Sequence, residues 1–329
     1  MINMDLRKLQ KTKGGSFLIT LPKTWINKFK LREGSVLSVE ESEQGYLLIK
    51  PHHVEREIET KPLTIPVEAH VSIERGIRSA YLMGAEFMKV ESSGRLPSNV
   101  RESVLSTIQR LIGLEIVEET SNSITIQSLL QLSAIPIKAT LKRAHAIVYN
   151  MHRDVLIALE ELDYELAQAI VKRDDEVDRL YFLLVRQLRA ASQDPLLASK
   201  LGVKTIDCLD LRLAAKFIEA IGDCVVKVAE GVLNLCRNSY KHTDVIEDVK
   251  SLGLFSMNLH GKAVEALVKL DSRTAEELSL SVSKLNDALK SLNEKLCSNL
   301  SPYAMIMHSI ALYFYQIGGY GIDLAELVT

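Results

Sequence analysis

Apolar positions along this 329-residue chain change their spacing twice. Over the first fifty residues they come in short runs. "SFLITLP" (16–22) has strand composition, and Pro22 then opens a short helix, "PKTWINKF" (22–29), as proline does at a first helical position. "EGSVLSVEE" (33–41) and "GYLLIKP" (45–51) read as two strands about a Glu43-Gln44-Gly45 turn. Between 60 and 130 the segments alternate. "LTIPVEA" (63–69) is a strand, and "SIERGIRSAYLMG" (72–84) is a helix capped by Ser72. "EFMKVES" (86–92) is a strand, and "SNVRESVLSTIQRLIG" (98–113) is a helix with Gly113 past its end. "LEIVEE" (114–119) and "SITIQSL" (123–129) make a hairpin around Ser121-Asn122. That order implies a small α/β sandwich.

From 133 onward the spacing is helical. Leu211, Ala214, Ile218, Ile221, Val225, Val228, Val232 and Leu235 alternate steps of three and four, the mark of a bundle seam. Breaks near 162, 192–204, 238–243, 271 and 299–302 divide this region into six helices. "FIEAIGDCVVKVAEGV" (217–232) recurs weakly as "YFYQIGGYGIDLAELV" (313–328). "DYELAQAIVKRDDEVDRL" (163–180) recurs weakly as "DSRTAEELSLSVSKLNDAL" (271–289). Two three-helix units in tandem explain both repeats. The expected fold is therefore multidomain α+β. An arm spans 1–51, an α/β linker domain 52–131 and a helical region 132–329, with repeats at 133–238 and 243–329.

Charge sharpens this division. Residues 1–32 carry eight bases against one acid, a net +7, which leaves −9 on the other 297 residues of a chain whose net charge is −2. A basic head on an acidic body points to a polyanion at the head, against the plainer reading of a solvated lysine face. Within "KTKGGSFLITLPKTW" (11–25), Gly14 and Gly15 let backbone N–H groups approach a ligand, and Lys11, Lys13 and Lys23 surround them. The same two glycines also suit an ordinary hairpin turn. Trp25 falls with Phe29 on one face of its helix, where a core role outweighs base stacking. Fifty residues with so few large apolar groups close a poor core alone, so the arm needs a second copy of itself.

Other chemistry is sparse. Asp174 and Asp178 share a helix face, as do Glu219 and Asp223. Such pairs are most often solvated faces. His145 and His152, seven apart, read as core or surface filling, and His52-His53 as linker. "GGYGID" (318–323) lacks the strand and spacing of a dinucleotide loop. No serine or cysteine lies in a nucleophile motif, and no enzyme activity is expected. "MINMDLRKLQ" carries no secretory core, and no apolar run approaches the ~18 residues of a membrane helix. Cys208, Cys224, Cys236 and Cys297 form no CxxC pair and fit reduced thiols in a cytoplasmic protein.

Two resemblances follow from these residues. "DDEVDRL" and "FIEAIGDCVVKVAEG" resemble the paired motifs of the PhoU family, tandem three-helix bundles, with Ala220 where the family has arginine. "RKLQKTKGGSFLITLPKTW", "LREGSVLSVE" and "GYLLIKP" resemble the SpoVT/AbrB-like DNA-binding arm, a swapped-hairpin dimer. The combination resembles archaeal-type phosphate uptake regulators. It implies a homodimer on operator DNA, with Arg7, Lys8, Lys11, Lys13, Gly14, Gly15, Ser16, Lys23 and Arg32 at the duplex. Arg7 and Arg32 are the residues suited to a guanine edge. The resemblance also implies iron or zinc at Asp174, Asp178, Glu219 and Asp223. The second repeat lacks these acids: Val282, Asn286, Tyr315 and Gly319 take their places, so no second cluster is expected. An alternative function is an adaptor that docks on a phosphate transporter ATPase or a histidine kinase, with the arm serving dimerisation alone. Neither reading inserts into a membrane.

Overall fold

A computed structural model describes residues 6–41, 45–51, 61–68, 72–240, 244–297 and 301–328. The Glu43-Gln44 part of the expected turn and His52-His53 fall outside them. The chain divides into two compact units, 1–61 and 62–329.

In the first unit, β1 (Gln10–Lys11) and β2 (Phe17–Leu18) pair antiparallel around the loop Thr12–Ser16. Helix α1 (Lys23–Lys28) starts behind Pro22. Strands β3 (Leu37–Glu41) and β4 (Leu47–Pro51) form a second antiparallel pair, Leu37 opposite Pro51. The expected strand over 16–22 shrinks to two residues, because Ile19 to Leu21 have no ladder partner among the described residues. No described residue of this unit is buried. Leu6, Leu9, Phe17, Leu18, Ile19, Val36, Val39 and Leu47 are all exposed, Leu6 at 86%.

The second unit opens with a four-stranded sheet: β5 (Leu63–Pro66), β6 (Phe87–Glu91), β7 (Leu114–Glu119) and β8 (Ser123–Ser128), in the order β5-β6-β8-β7. β5 runs parallel to β6 through the crossover helix α2 (Ile73–Leu82), and the other pairs are antiparallel. Ser72 accepts from the Arg75 amide at 3.3 Å and caps α2. Helix α3 (Ser98–Gln109) completes the layer over Ile77, Tyr81, Met88, Val90, Ile124 and Ile126.

Eight helices follow among the described residues: α4 (Ile137–Glu161), α5 (Tyr164–Gln193), α6 (Pro195–Lys200), α7 (Asp207–Arg237), α8 (Asp244–Lys269), α9 (Ser272–Ser279), α10 (Val282–Cys297) and α11 (Pro302–Glu326). α4, α5 and α7 form the first repeat. In the second, α9 and α10 replace the single helix expected over 271–299. Serines at 279, 281 and 283 compete for backbone hydrogen bonds there; Ser279 and Ser281 donate to the carbonyls of Ala275 and Glu277. All eight seam residues from Leu211 to Leu235 are buried. α11 packs along both α7 and α8, and α4 packs on α8, so the repeats share one continuous core.

Buried Arg186 of α5 joins this core to the sheet layer. It donates to the Tyr81 and Ala85 carbonyls at 2.5 and 3.2 Å, and its guanidinium lies 4.6 Å from the Tyr81 ring centroid. Gln187 beside it donates to the Leu132 and Ile135 carbonyls. Two backbone carbonyls and the Ser128 hydroxyl thus accept from the buried guanidinium, while its Nε has no hydrogen-bond partner among the described residues.

Candidate nucleic-acid interface and carboxylate face

The arm displays its bases. Arg7, Lys8, Lys11, Lys13, Lys23, Lys28, Lys30 and Arg32 are all exposed. The Thr12–Ser16 loop that carries Lys13 is tightly closed: the Thr12 amide donates to the Ser16 carbonyl at 2.8 Å and the Gly15 amide to the Thr12 carbonyl at 3.0 Å. The Thr12 hydroxyl accepts from the Ser16 amide at 3.1 Å. Gly15 has φ +90°, a region that side chains other than glycine avoid, so the Gly-Gly pair serves the hairpin turn first. Gly14, Gly15 and Ser16 remain exposed at its tip. The Lys11 ammonium stands 5.8 Å over the Phe17 ring, across the two strands. Lys11, Lys13, Lys23 and Arg32 make no ion pair among the described residues. Trp25 is half-buried against Phe29, with ring centroids 5.4 Å apart, which fits the packing role over base stacking.

The helical unit gathers its acids. Asp174 and Asp178 on α5 face Glu219 and Asp223 on α7. Asp174 reaches across, its Oδ1 standing 3.7 Å from where a Cβ on Gly222 would lie. Burial, then the charges of Asp178, Asp223, Asp175 and Glu219, push Asp174 up to about 6. Asp178 is raised by burial and Asp223, while Arg110 opposes the rise. Glu219 is raised by burial against its bond to Lys216. Two cations bound the face. Lys216 pairs with Glu219. Arg110, at the end of α3, gives Nε and Nη2 to Asp175 Oδ1 at 3.2 and 2.6 Å.

The i,i+4 spacings give two carboxylate pairs and the family resemblance sets them side by side, but neither singles out the cations. Lys216 was visible three residues before Glu219. Arg110 was not, because it comes from 65 residues upstream of Asp175. Carboxylate oxygens suit a hard or borderline cation. As folded, however, no group of three or more His, Cys, Asp or Glu side chains among the described residues is placed to hold a metal ion.

An exposed basic hairpin arm followed by a sheet layer and tandem helical repeats defines a class: a two-unit α+β protein. Comparison with known proteins narrows it. Residues 141–232 match the PhoU domain, a segment that contains all four carboxylates. Residues 10–57 match the model described as "Antidote-toxin recognition MazE, bacterial antitoxin", which takes in Lys11 to Lys23 and Arg32 but begins after Arg7 and Lys8. The chain therefore carries a PhoU domain behind a MazE/AbrB-like N-terminal domain.

It is 25% identical over 152 residues to a phosphate-specific transport system accessory protein PhoU homolog from Clostridium acetobutylicum, covering 45% of this chain and 64% of that protein. Among solved structures, it is similar to PhoU from Pseudomonas aeruginosa (20% identity, TM-score 0.48, 58% of this chain and 93% of that one). It is also similar to the phosphate transport system regulatory protein PhoU from Streptococcus pneumoniae (15% identity, TM-score 0.49, 58% and 91%). No helix among the described residues is long and apolar enough to cross a membrane.

Proposed function

We propose that this protein is a cytoplasmic, non-enzymatic transcriptional regulator of phosphate uptake, which binds operator DNA through its arm as a homodimer. The observation that carries this reading is the exposed base cluster on and around the β1–β2 hairpin, in which Lys11, Lys13, Lys23 and Arg32 make no ion pair among the described residues. Dimerisation alone needs no such cluster, whereas a duplex does, since each lysine that meets a phosphate releases counterions. In a dimer, Lys8, Lys11, Lys13 and Lys23 neutralise phosphates and the Gly14–Ser16 tip approaches the backbone. Arg7 and Arg32 carry the guanidinium fork that a guanine edge accepts. The PhoU region senses or relays phosphate state. A gel shift of the whole protein with its own upstream DNA, at two salt concentrations, tests the reading. A shift that weakens at the higher salt supports it.

The adaptor reading, docking on a phosphate transporter ATPase or sensor kinase, draws on the name of the Clostridium relative. It becomes the better one if no DNA is bound at low salt. Iron or zinc at Asp174, Asp178, Glu219 and Asp223 is a further part of the proposal. Its support is electrostatic: carboxylates that raise one another's proton affinity are relieved by a cation.

A further inference from the structure

Three histidines make one hydrogen-bonded chain between the two repeats. His145 and His152 sit on α4 and His260 on α8. His145 Nε2 lies 3.0 Å from His260 Nδ1, and His260 Nε2 lies 3.1 Å from His152 Nδ1. The His152 ring stacks on both His260 and Phe314 of α11, each at 5.3 Å. Glycines bring the helices this close. A Cβ on Gly321 of α11 would stand 2.8 Å from the His260 backbone nitrogen, and one on Gly261 would stand 2.9 Å from the Tyr149 ring. Burial pushes His145 down to about 4 and His152 to about 3, and His260 falls well below its ordinary value, so all three rings are neutral at neutral pH.

Neutrality fixes the proton count. Each neutral imidazole has one N–H and one lone pair. Three rings hold three N–H groups, and the two links use two of them. The third sits at one end of the chain, on His152 Nε2 or on His145 Nδ1. His152 Nε2 is buried without a hydrogen-bond partner. The Gly253 carbonyl favours a proton on His152 but closes no hydrogen bond to Nε2, and it accepts from the Ser256 hydroxyl at 2.9 Å. An orphaned buried N–H is rarer than a bare acceptor, because the donor loses its single hydrogen bond outright. The protons therefore run outward. His152 donates to His260, His260 donates to His145, and the spare N–H is His145 Nδ1.

That outer end borders a groove of about 430 Å³ lined by Tyr149, Asn150, Asn258, Lys262 and Glu265. Its one acid, Glu265, is held by Lys269. Lys262 makes no ion pair among the described residues. We propose that this groove binds a small oxyanion, taking a hydrogen bond from His145 Nδ1–H and the charge of Lys262, with the amides of Asn150 and Asn258 as further donors. An acceptor bound there takes the spare N–H in the proton order that the chain already holds. The inference rests on the groove alone and is independent of whether the arm binds DNA.

The test is ¹⁵N NMR of the full-length protein, histidine-labelled, at neutral pH. Potassium phosphate, sulfate and acetate are titrated in turn against chloride at constant ionic strength. We expect Nδ1–H tautomers on His145, His152 and His260 before any addition. We then expect a saturable shift of His145 with a Kd of about 1 mM or tighter, weakened at least about tenfold in Lys262→Gln, a surface change that spares the core. A response to all three anions supports the class as stated, and a response to phosphate alone supports it and narrows the ligand. Nε2–H tautomers on all three rings would overturn the proton order. Shifts that never saturate, or that survive unchanged in Lys262→Gln, would overturn the site.

Discussion

Asp174 shows what the carboxylate face costs at the level of one residue. Its folded proton affinity, raised to about 6, lies above the ordinary 3.8 of an unfolded aspartate. A group raised in this way favours the native state only where it is protonated. Its contribution is fully present below about pH 4 and is lost as pH climbs through 6. At pH 7.5 the ionised Asp174 is a liability, so Asp174→Asn should stabilise the protein by about 1–2 kcal/mol, a figure reduced for its partial exposure. The gain should vanish near pH 4, as seen in thermal melts across that range. A bound cation would relieve the same repulsion. After loading with ferrous iron or zinc and gel filtration, elemental analysis should find metal in the wild type and little in Asp178→Asn/Asp223→Asn; equal content in both would reject the site. The set of four acids came from the family resemblance, but each pair was legible because i,i+4 spacing fixes a shared helix face. The histidine chain was not: His145 and His152 looked like filling, since their link, His260, lies 115 and 108 residues further along.

Elements were legible where a period ran long, and less so where it was short. The α7 seam declared itself through eight positions, and Ser72 and Pro22 marked the starts of α2 and α1, whereas α3 ends at Gln109, well before Gly113. The break between α9 and α10 was missed because a serine-rich stretch keeps a helical apolar spacing while weakening the backbone ladder. Close helix crossings were also invisible, since a glycine in a helix looks the same in sequence whether it is needed or not. Two glycines of α11 separate the cases. A Cβ on Gly321 would meet the His260 backbone nitrogen at 2.8 Å and Leu259 carbonyl carbon at 3.1 Å, whereas one on Gly319 meets nothing within 4 Å. Gly321→Ala should therefore cost about 1–3 kcal/mol through forced separation of α8 and α11. Gly319→Ala should gain up to about 1 kcal/mol in helix propensity. Denaturant midpoints of the two variants, measured side by side, check both signs.

At the scale of the whole molecule, the arm is the incomplete part. It buries none of its described residues, yet it exposes Leu6, Leu9, Phe17, Ile19, Val36 and Leu47. Apolar surface of that kind is covered most simply by a second arm. Light scattering should give twice the chain mass of 36.8 kDa for the full protein, and one chain mass after removal of residues 1–61; a full-length monomer would contradict the swapped arm. The composition step at the head made this unit legible, whereas its first strand was over-read because only Phe17 and Leu18 pair with another strand among the described residues. The claim at the centre is that the paired arms bind DNA, and a salt titration tests it most directly. If each arm makes about four phosphate contacts from Arg7, Lys8, Lys11, Lys13 and Lys23, a dimer neutralises about eight, and log K against log salt falls with a slope of about −7. Lys13→Ala removes two contacts per dimer, so the slope should shrink by nearly 2 on operator and scrambled duplexes alike. Arg7→Ala should instead narrow the preference for operator, by about 1–3 kcal/mol per lost bidentate pair. A slope near −7 that Lys13→Ala reduces is the predicted result; a flat salt dependence, or no binding at low salt, would contradict it.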